Sequence, residues 1–258
     1  MKKPNIIVLP RCYKSDDGRI IQYISENIRK IIIELGGIPV ILCPTTNADS
    51  YYTKSNEFPE VSNEEKKIID FYLNNCDGLI VPGGNKFTKF DSCVLDKAIK
   101  KNMPILCICM GMQLLSCYNN KDINLYKIDS KINHNQSSND TNFSHKINIK
   151  NNSLLYSIIK KDEINVNSFH NMGCKDNNLF EIDALSEDNV IEAIEIKNKK
   201  FVLGVQWHPE KDFKNNIDSK KIFLSFINSA RAYKNTELYN TVFILFFIVF
   251  LLFLNILP

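Results

Sequence analysis

The stretch "PILCICMGMQLL", residues 104–115, predicts a strand that turns sharply into a helix. Its first half is short and apolar, whereas "GMQLLSC" has the pattern of a helix start, so Cys109 falls at the turn between them. Such an elbow can hold a nucleophile, because the strained turn pushes the side chain out above the sheet. Backbone N–H groups and the positive end of the helix dipole stabilise a thiolate there.

The positions that flank the turn require small residues, since strand and helix approach each other closely. Cys107 and Gly111 occupy these two positions, so we interpret Cys107 as a structural residue and Cys109 as the reagent. From this stretch alone, the alternative that Cys109 is a small core residue stays open.

Apolar runs elsewhere in the chain predict the fold class. In the first half, short runs such as "NIIVLP", "IPVILCP" and "DGLIVPGG" alternate with stretches of helical period, which is typical of βα units. One predicted helix runs from about Ile20 to Leu35 and ends at Gly36 and Gly37. Later runs such as "INVNSF", "VIEAIEI" and "FVLGVQW" are short and β-rich. We therefore predict an α/β three-layer sandwich with a mostly parallel central sheet and late antiparallel β additions.

Composition narrows the function classes. The 258 residues are 44% hydrophobic and carry a net charge of +3 without massed basic residues, so nothing indicates nucleic-acid binding. Eight irregularly spaced cysteines and the lack of a secretory signal favour free thiols and a cytoplasmic localisation. No CxxC pair occurs and the four histidines lack metal-ligand spacing, so we predict no metal and no other cofactor.

The C-terminal residues are more apolar than the rest of the chain. We predict one domain over residues 1–232, followed by an apolar tail over 233–258. Its continuously apolar part, from Val242 to Leu254, is shorter than the ~18 residues of a confident membrane span. Three alternatives stay open: a membrane anchor through residues 242–257, a helix packed on the domain or on a partner, and an extension without function.

The segment "GVQWHPE" supplies what a nucleophilic cysteine needs, a base and a group that orients the base. His208 and Glu210 lie two residues apart at the end of an apolar strand. In an extended segment such residues point to the same side, so Glu210 could hold one imidazole nitrogen while the other faces the thiol. The alternative is an exposed polar strand end.

The segment "VPGGN" predicts an oxyanion hole. A Gly pair directly after a strand leaves backbone N–H groups free to approach a developing negative charge. The residue after the nucleophile supplies a second donor. The candidate donors are Gly84 and Met110; the alternative for the Gly pair is a simple turn.

These elements, in this order, resemble the class I glutamine amidotransferase superfamily with its Cys-His-Glu triad, over about residues 4 to 230. The likeness is strongest to the peptidase C26 branch, which includes γ-glutamyl-γ-aminobutyrate hydrolase. It rests on "ELGGIPVILCP", "DGLIVPGG", "PILCICMGMQLL", "INVNSFHNMG", "VIEAIEI" and "FVLGVQWHPE". The resemblance implies a flavodoxin-like fold and hydrolysis of a γ-glutamyl amide, or of glutamine with delivery of ammonia.

Carried over residue by residue, the resemblance makes Cys109 the nucleophile, His208 the general acid and base, and Glu210 the orienting carboxylate. It also implies residues that hold the glutamyl head group, which would be Gln113, Asn167, Ser168 and His170. The chain departs from the branch at Cys107, where Gly is usual, at Met110, where Arg is usual, and in a shorter loop after the Gly pair. These departures leave the amine of the substrate open.

We therefore expect a cysteine-dependent hydrolase of γ-glutamyl amides that acts through a glutamyl thioester on a small-molecule substrate. Two alternatives remain. The first is a glutaminase subunit that supplies ammonia to a separate synthase partner, since the chain has no synthase domain of its own. The second is a catalytically idle binding protein.

Overall fold

The computed structural model describes residues 3–45, 60–118, 124–137 and 143–233. The predicted apolar tail at 242–257 lies outside these residues, and the domain boundary near residue 232 stays a prediction. Among the described residues, none of the helices combines the length and the apolar character that a membrane crossing requires.

A nine-stranded mixed sheet forms the centre of the fold. Its strands are, in spatial order, β4 (Ile38–Ile41), β1 (Asn5–Val8), β5 (Gly78–Val81), β6 (Ile105–Ile108), β13 (Val202–Val205), β12 (Ile191–Glu195), β11 (Glu181–Ser186), β8 (His145–Ile149) and β9 (Glu163–Val166). The first five pair in parallel, and every later pairing is antiparallel. Only β12 and β8 therefore run against the common direction. The predicted mostly parallel sheet with late antiparallel additions is confirmed.

Helices cover both faces of this sheet. They are α1 (Glu26–Glu34), α2 (Asn63–Asn75), α3 (Lys89–Lys100), α4 (Met110–Ser116), α5 (Leu154–Ile159), α6 (Pro209–Asp212) and a C-terminal helix described over residues 217–233. One apolar cluster joins α1, α5 and the C-terminal helix to one face, and a second joins α2, α3 and α4 to the other. Alternate β1 residues enter opposite clusters, as the pleat of a strand requires. This arrangement confirms the three-layer sandwich.

The predicted helix from Ile20 to Leu35 begins too early. Residues Ile20–Tyr23 form a strand, β3, which pairs with β2 (Arg11–Lys14) in a hairpin, and α1 starts only at Glu26. Gly18, with φ 85°, lies in the turn of the hairpin, and two β-branched isoleucines favour the strand that follows. Apolar spacing alone could not separate this strand from the helix after it.

Three adjacent parallel strands bring the predicted site residues together. Gly84 and its neighbour Gly83 follow β5, Cys109 follows β6 and His208 follows β13, and these strands are neighbours in the sheet. The carboxyl ends of parallel strands share one edge of a sheet, and ligands of α/β folds bind along that edge. A second ribbon, β7 (Leu125–Lys127) with β10 (Met172–Cys174), contacts α4 through β10.

Candidate active site

The elbow at Cys109 has the strained backbone that the sequence predicts. Cys109 has φ 51° and ψ −110°, a left-handed φ that is rare for a residue other than glycine. Its N–H donates to the Val205 carbonyl at 2.8 Å, which ties the turn to β13. Strain of this kind persists only where the surrounding structure enforces it, and it concentrates at functional sites.

Gly111 allows α4 to cross directly over β5. A methyl group built on Gly111 would lie 2.1 Å from the Val81 carbonyl oxygen, far inside van der Waals contact. The neighbouring atoms belong to the Val81 backbone, which cannot move aside as a flexible side chain could. The expected requirement for a small residue at this position is confirmed.

We expect Gly111→Ala to lower the free energy of unfolding by more than about 3 kcal/mol, the upper end of typical overpacking costs. Urea unfolding measures this directly. The control is Gly18→Ala, where the nearest atom lies 3.9 Å away but φ is 85°, so only backbone strain of about 1–2 kcal/mol is added. Equal losses in both variants would contradict the close contact.

The two elbow cysteines differ in their surroundings. Cys107 lies within β6 and is completely buried, and burial raises its pKa far above the ordinary thiol value. Cys109 is 7% exposed and lies beyond the strand, where it contacts His208. Cys107 therefore has the surroundings of an inert core thiol.

His208 lies between Cys109 and Glu210. Its Nδ1 is 2.7 Å from Glu210 Oε1, which leaves Nε2 for the thiol. Burial lowers the pKa of His208, but the Glu210 carboxylate and a hydrogen bond with the Cys109 side chain outweigh it and raise the pKa to about 10. A protonated imidazole at this place stabilises a thiolate.

We expected an extended backbone around Glu210, but this residue lies in a helix. Pro209 begins α6, with His208 as the N-cap residue, so Glu210 reaches the imidazole from within the first turn of this helix. Proline favours the first position of a helix, because its fixed φ fits and its missing N–H is not needed there.

Asn167 fixes the backbone of His208. Its Nδ2 donates to the His208 carbonyl and its Oδ1 accepts from the His208 N–H, both at 2.9 Å. The Phe169 ring meets the imidazole edge to face, with centroids 5.7 Å apart. The two hydrogen bonds show that Asn167 positions His208. A contact of Asn167 with the glutamyl head group stays a prediction.

The Gly pair borders both catalytic candidates. A methyl group built on Gly83 would lie 2.7 Å from His208 Cε1 and 3.3 Å from Cys109 Cβ, so Gly83 leaves the space that these side chains occupy. Gly84 instead packs against the side chain of Arg11. The role of Gly84 and Met110 as hydrogen-bond donors to the oxyanion stays a prediction.

Arg11 is a buried residue that the sequence analysis missed. Its guanidinium donates to the carbonyl oxygens of Gly83 at 3.1 Å and Pro82 at 2.9 Å, and it forms an ion pair with Asp91 at 3.1 Å. In a trans peptide the C=O and N–H point in opposite directions. Holding the Gly83 carbonyl therefore turns the Gly84 N–H away from Arg11. No sequence motif marked this arginine, which lies 72 residues before the Gly pair it holds.

The other predicted head-group residues bond to protein partners. Gln113 donates to the Met172 carbonyl and to Gln206 Oε1, at 2.9 and 3.2 Å. Ser168 is completely buried and donates to the His134 carbonyl. His170 is also buried, with its Nδ1 3.1 Å from the Met172 carbonyl. None of these contacts supports substrate binding by Gln113, Ser168 or His170, which stays a prediction.

The histidines show no metal-ligand spacing in the sequence, but some of them meet in space. The structure brings His134, His145 and Glu192 together, with one ligand atom of each within 4.8 Å of the others. These residues lie far apart in the sequence, so no spacing rule could group them.

Comparisons with known proteins agree with the fold. The family model for Peptidase C26 matches residues 86–210. The chain is 28% identical to the glutamine amidotransferase-like protein RP404 of Rickettsia prowazekii, over 80% of this chain and 88% of that protein. It is 24% identical to the γ-glutamyl-γ-aminobutyrate hydrolase PuuD of Escherichia coli, over 88% and 93% of the two chains. The solved glutaminase domain of Trypanosoma brucei CTPS with bound acivicin has a TM-score of 0.57 at 18% identity, and the match covers 89% of this chain and 94% of that one.

The fold and these relatives define an amide hydrolase of the glutamine amidotransferase-like class, as the resemblance implied. The chain resembles the Peptidase C26 family, whose model matches residues 86–210. Its activity is of the γ-glutamyl hydrolase or glutamine amidotransferase-like kind.

Proposed function

We propose that the protein hydrolyses γ-glutamyl amide bonds through a Cys109–His208–Glu210 triad and a glutamyl thioester. The observation that carries this proposal is the position of His208, which contacts the Cys109 side chain and holds Glu210 at 2.7 Å through Nδ1. A cysteine nucleophile requires this sequence of contacts from thiol to base to orienting group.

In the first step, the Cys109 thiolate attacks the γ-carbonyl carbon and forms a tetrahedral oxyanion. The C–N bond then breaks, the departing amine takes the proton of the His208 imidazolium, and a glutamyl thioester remains on sulfur. In the second step, neutral His208 takes a proton from water, whose oxygen attacks the thioester. The C–S bond breaks, glutamate leaves, and the thiolate–imidazolium pair is restored.

The oxyanion would be held by the N–H groups of Gly84 and Met110. The contacts of Arg11 support the first donor, because they hold the Gly83 carbonyl on the side opposite to the Gly84 N–H. The position of Met110 supports the second, since this residue opens α4, and the first N–H groups of a helix lack partners within the helix. A preorganised donor of this kind is worth about 3 kcal/mol.

We expect Arg11→Lys to lower kcat about 10²-fold with little change in KM, because lysine lacks the planar fork that holds two carbonyls, and a misplaced donor acts mainly in the transition state. The matched control is Arg19→Lys, since the Arg19 side chain is 78% exposed. Steady-state kinetics, with circular dichroism to check folding, measure the effect. An unchanged kcat in folded Arg11→Lys would remove this arginine from the mechanism.

A panel of γ-glutamyl amides and glutamine, offered to the full-length protein, tests the proposed function. Hydrolysis of at least one γ-glutamyl amide supports it. If only glutamine is hydrolysed, and only after a synthase partner is added, the protein is an ammonia-supplying subunit instead. A folded protein that hydrolyses nothing and is not labelled by a glutamine-analogue chloroketone would be a binding protein.

A further inference from the structure

A second group of titratable side chains lies in the interior, formed by His134, His145, His170 and Glu192, which we call the histidine cluster. All four side chains are at most 3% exposed. Three imidazole nitrogens face Glu192 Oε1, at 3.3 Å for His134 Nδ1, 3.2 Å for His145 Nε2 and 3.5 Å for His170 Nε2. The triad does not use any of these residues.

The far nitrogens of two rings are already engaged. His134 Nε2 lies 3.0 Å from Asp188 Oδ2, and His170 Nδ1 lies 3.1 Å from the Met172 carbonyl. Carboxylate and carbonyl oxygens only accept, so these nitrogens carry the hydrogens. In a neutral imidazole the other nitrogen then holds a lone pair, which in both rings faces the Glu192 carboxylate.

Lone pairs that face a buried carboxylate repel it unless positive charge lies among them. Glu192 Oε2, His134 Nδ1 and His170 Nε2 have no hydrogen-bond partner among the described residues, although they are buried. Buried polar atoms without partners are costly.

The distances fit the ligand spacing of a small cation. Ligand atoms around a tetrahedral Zn²⁺ lie about 2.0–2.1 Å from the metal and therefore roughly 3.3–3.4 Å from each other. The contacts of Glu192 Oε1 with His134 and His145, at 3.3 and 3.2 Å, match this separation. Metal-binding histidines also characteristically donate their other N–H to a carboxylate or a backbone carbonyl, as His134 does here.

We propose that His134, His145 and Glu192 bind one zinc-type divalent cation, with Asp188 as the partner that orients His134. The cation would replace repulsion by coordination and would join strands β8 and β12 to His134, whose carbonyl accepts from Ser168 in the neighbouring segment. That segment begins with Asn167, which holds the His208 backbone. The cation therefore has a structural role and touches no substrate. The proposal does not depend on the proposed hydrolysis.

Binding of Co²⁺ and Zn²⁺ to the chelator-stripped, full-length protein tests the proposal. We expect one equivalent of Co²⁺ to give the visible bands of tetrahedral coordination without the sulfur-to-metal charge-transfer band that cysteine ligands produce. Zn²⁺ should displace the bound Co²⁺ and raise the Tm of the protein. Elemental analysis should then find one Zn²⁺ ion per chain. A folded protein without this spectrum would contain an imidazolium–carboxylate cluster instead, and the proposal would be wrong.

Two variants connect the spectrum to these residues. His145→Ala removes a ligand and should abolish the Co²⁺ bands. Asp188→Asn changes the partner of His134, on a side chain that is 19% exposed and that also accepts from Ser130 and Ser186, and should weaken the affinity about 10- to 100-fold even if His145→Ala does not fold. The exposed Asp176→Asn serves as the matched control and should bind as the wild type does. Equal affinity in Asp188→Asn and Asp176→Asn would overturn the assignment.

Discussion

Cys109→Ala is expected to lower kcat/KM about 10⁴- to 10⁶-fold for every γ-glutamyl substrate that the wild-type protein accepts. The variant keeps the strained elbow and the His208–Glu210 pair but has no atom that can form the thioester. Removing the nucleophile of a catalytic triad typically leaves only the activity that binding and the oxyanion donors supply. Initial rates with the best substrate of the panel measure the loss.

Cys107→Ala is the matched control, since it removes a sulfur two residues away within the same segment. Cys107 is completely buried in β6, so its loss should reduce stability through a small cavity and leave turnover close to that of the wild type. Persistent hydrolysis in Cys109→Ala, or complete loss in folded Cys107→Ala, would contradict the assignment of the nucleophile.

Glu210→Gln is expected to lower kcat about 10²- to 10⁴-fold and to move the alkaline limb of the pH–rate profile to lower pH. The direction of this shift in the alkaline limb follows from the charges of Glu210 and His208. The Glu210 carboxylate raises the pKa of His208, which reaches about 10, so the imidazolium is present below that pH and loses its proton as the pH rises through it. Without the carboxylate the imidazolium loses its proton at a lower pH, and the amide also orients the ring less well.

The pH dependence of kcat/KM, measured together with the rate of Cys109 alkylation, separates this effect from a general loss of stability. Glu163→Gln is the matched control, because the Glu163 side chain is 58% exposed and pairs with Lys146 away from the triad. It should leave both profiles unchanged. An alkaline limb at the same pH in Glu210→Gln and wild type would show that Glu210 does not set the pKa of His208.

The sequence predicted the layered fold and the triad because the relevant signals are local. Cys109 lies in a run whose strand, turn and helix are contiguous, and His208 and Glu210 are two residues apart. The carboxyl ends of adjacent parallel strands then bring such segments together without further information. The roles of the three residues stay predictions until the kinetics are measured.

What the sequence could not show depends on contacts between distant or ambiguous segments. Residues Ile20–Tyr23 satisfy helical spacing, yet pairing with β2 makes them a strand. Arg11 acts on a Gly pair 72 residues later. The histidine cluster joins residues from four separate segments, which only the packing of the antiparallel strands and their loops brings together.

Mass spectrometry of the acid-quenched wild-type protein, taken during turnover of a γ-glutamyl amide, tests the central claim most directly. We predict a γ-glutamyl adduct that maps to the peptide containing Cys109, disappears on hydroxylamine treatment as a thioester does, and accumulates when deacylation is slowed. Turnover of the substrate with no adduct on Cys109, or an adduct on another residue, would contradict the proposed mechanism.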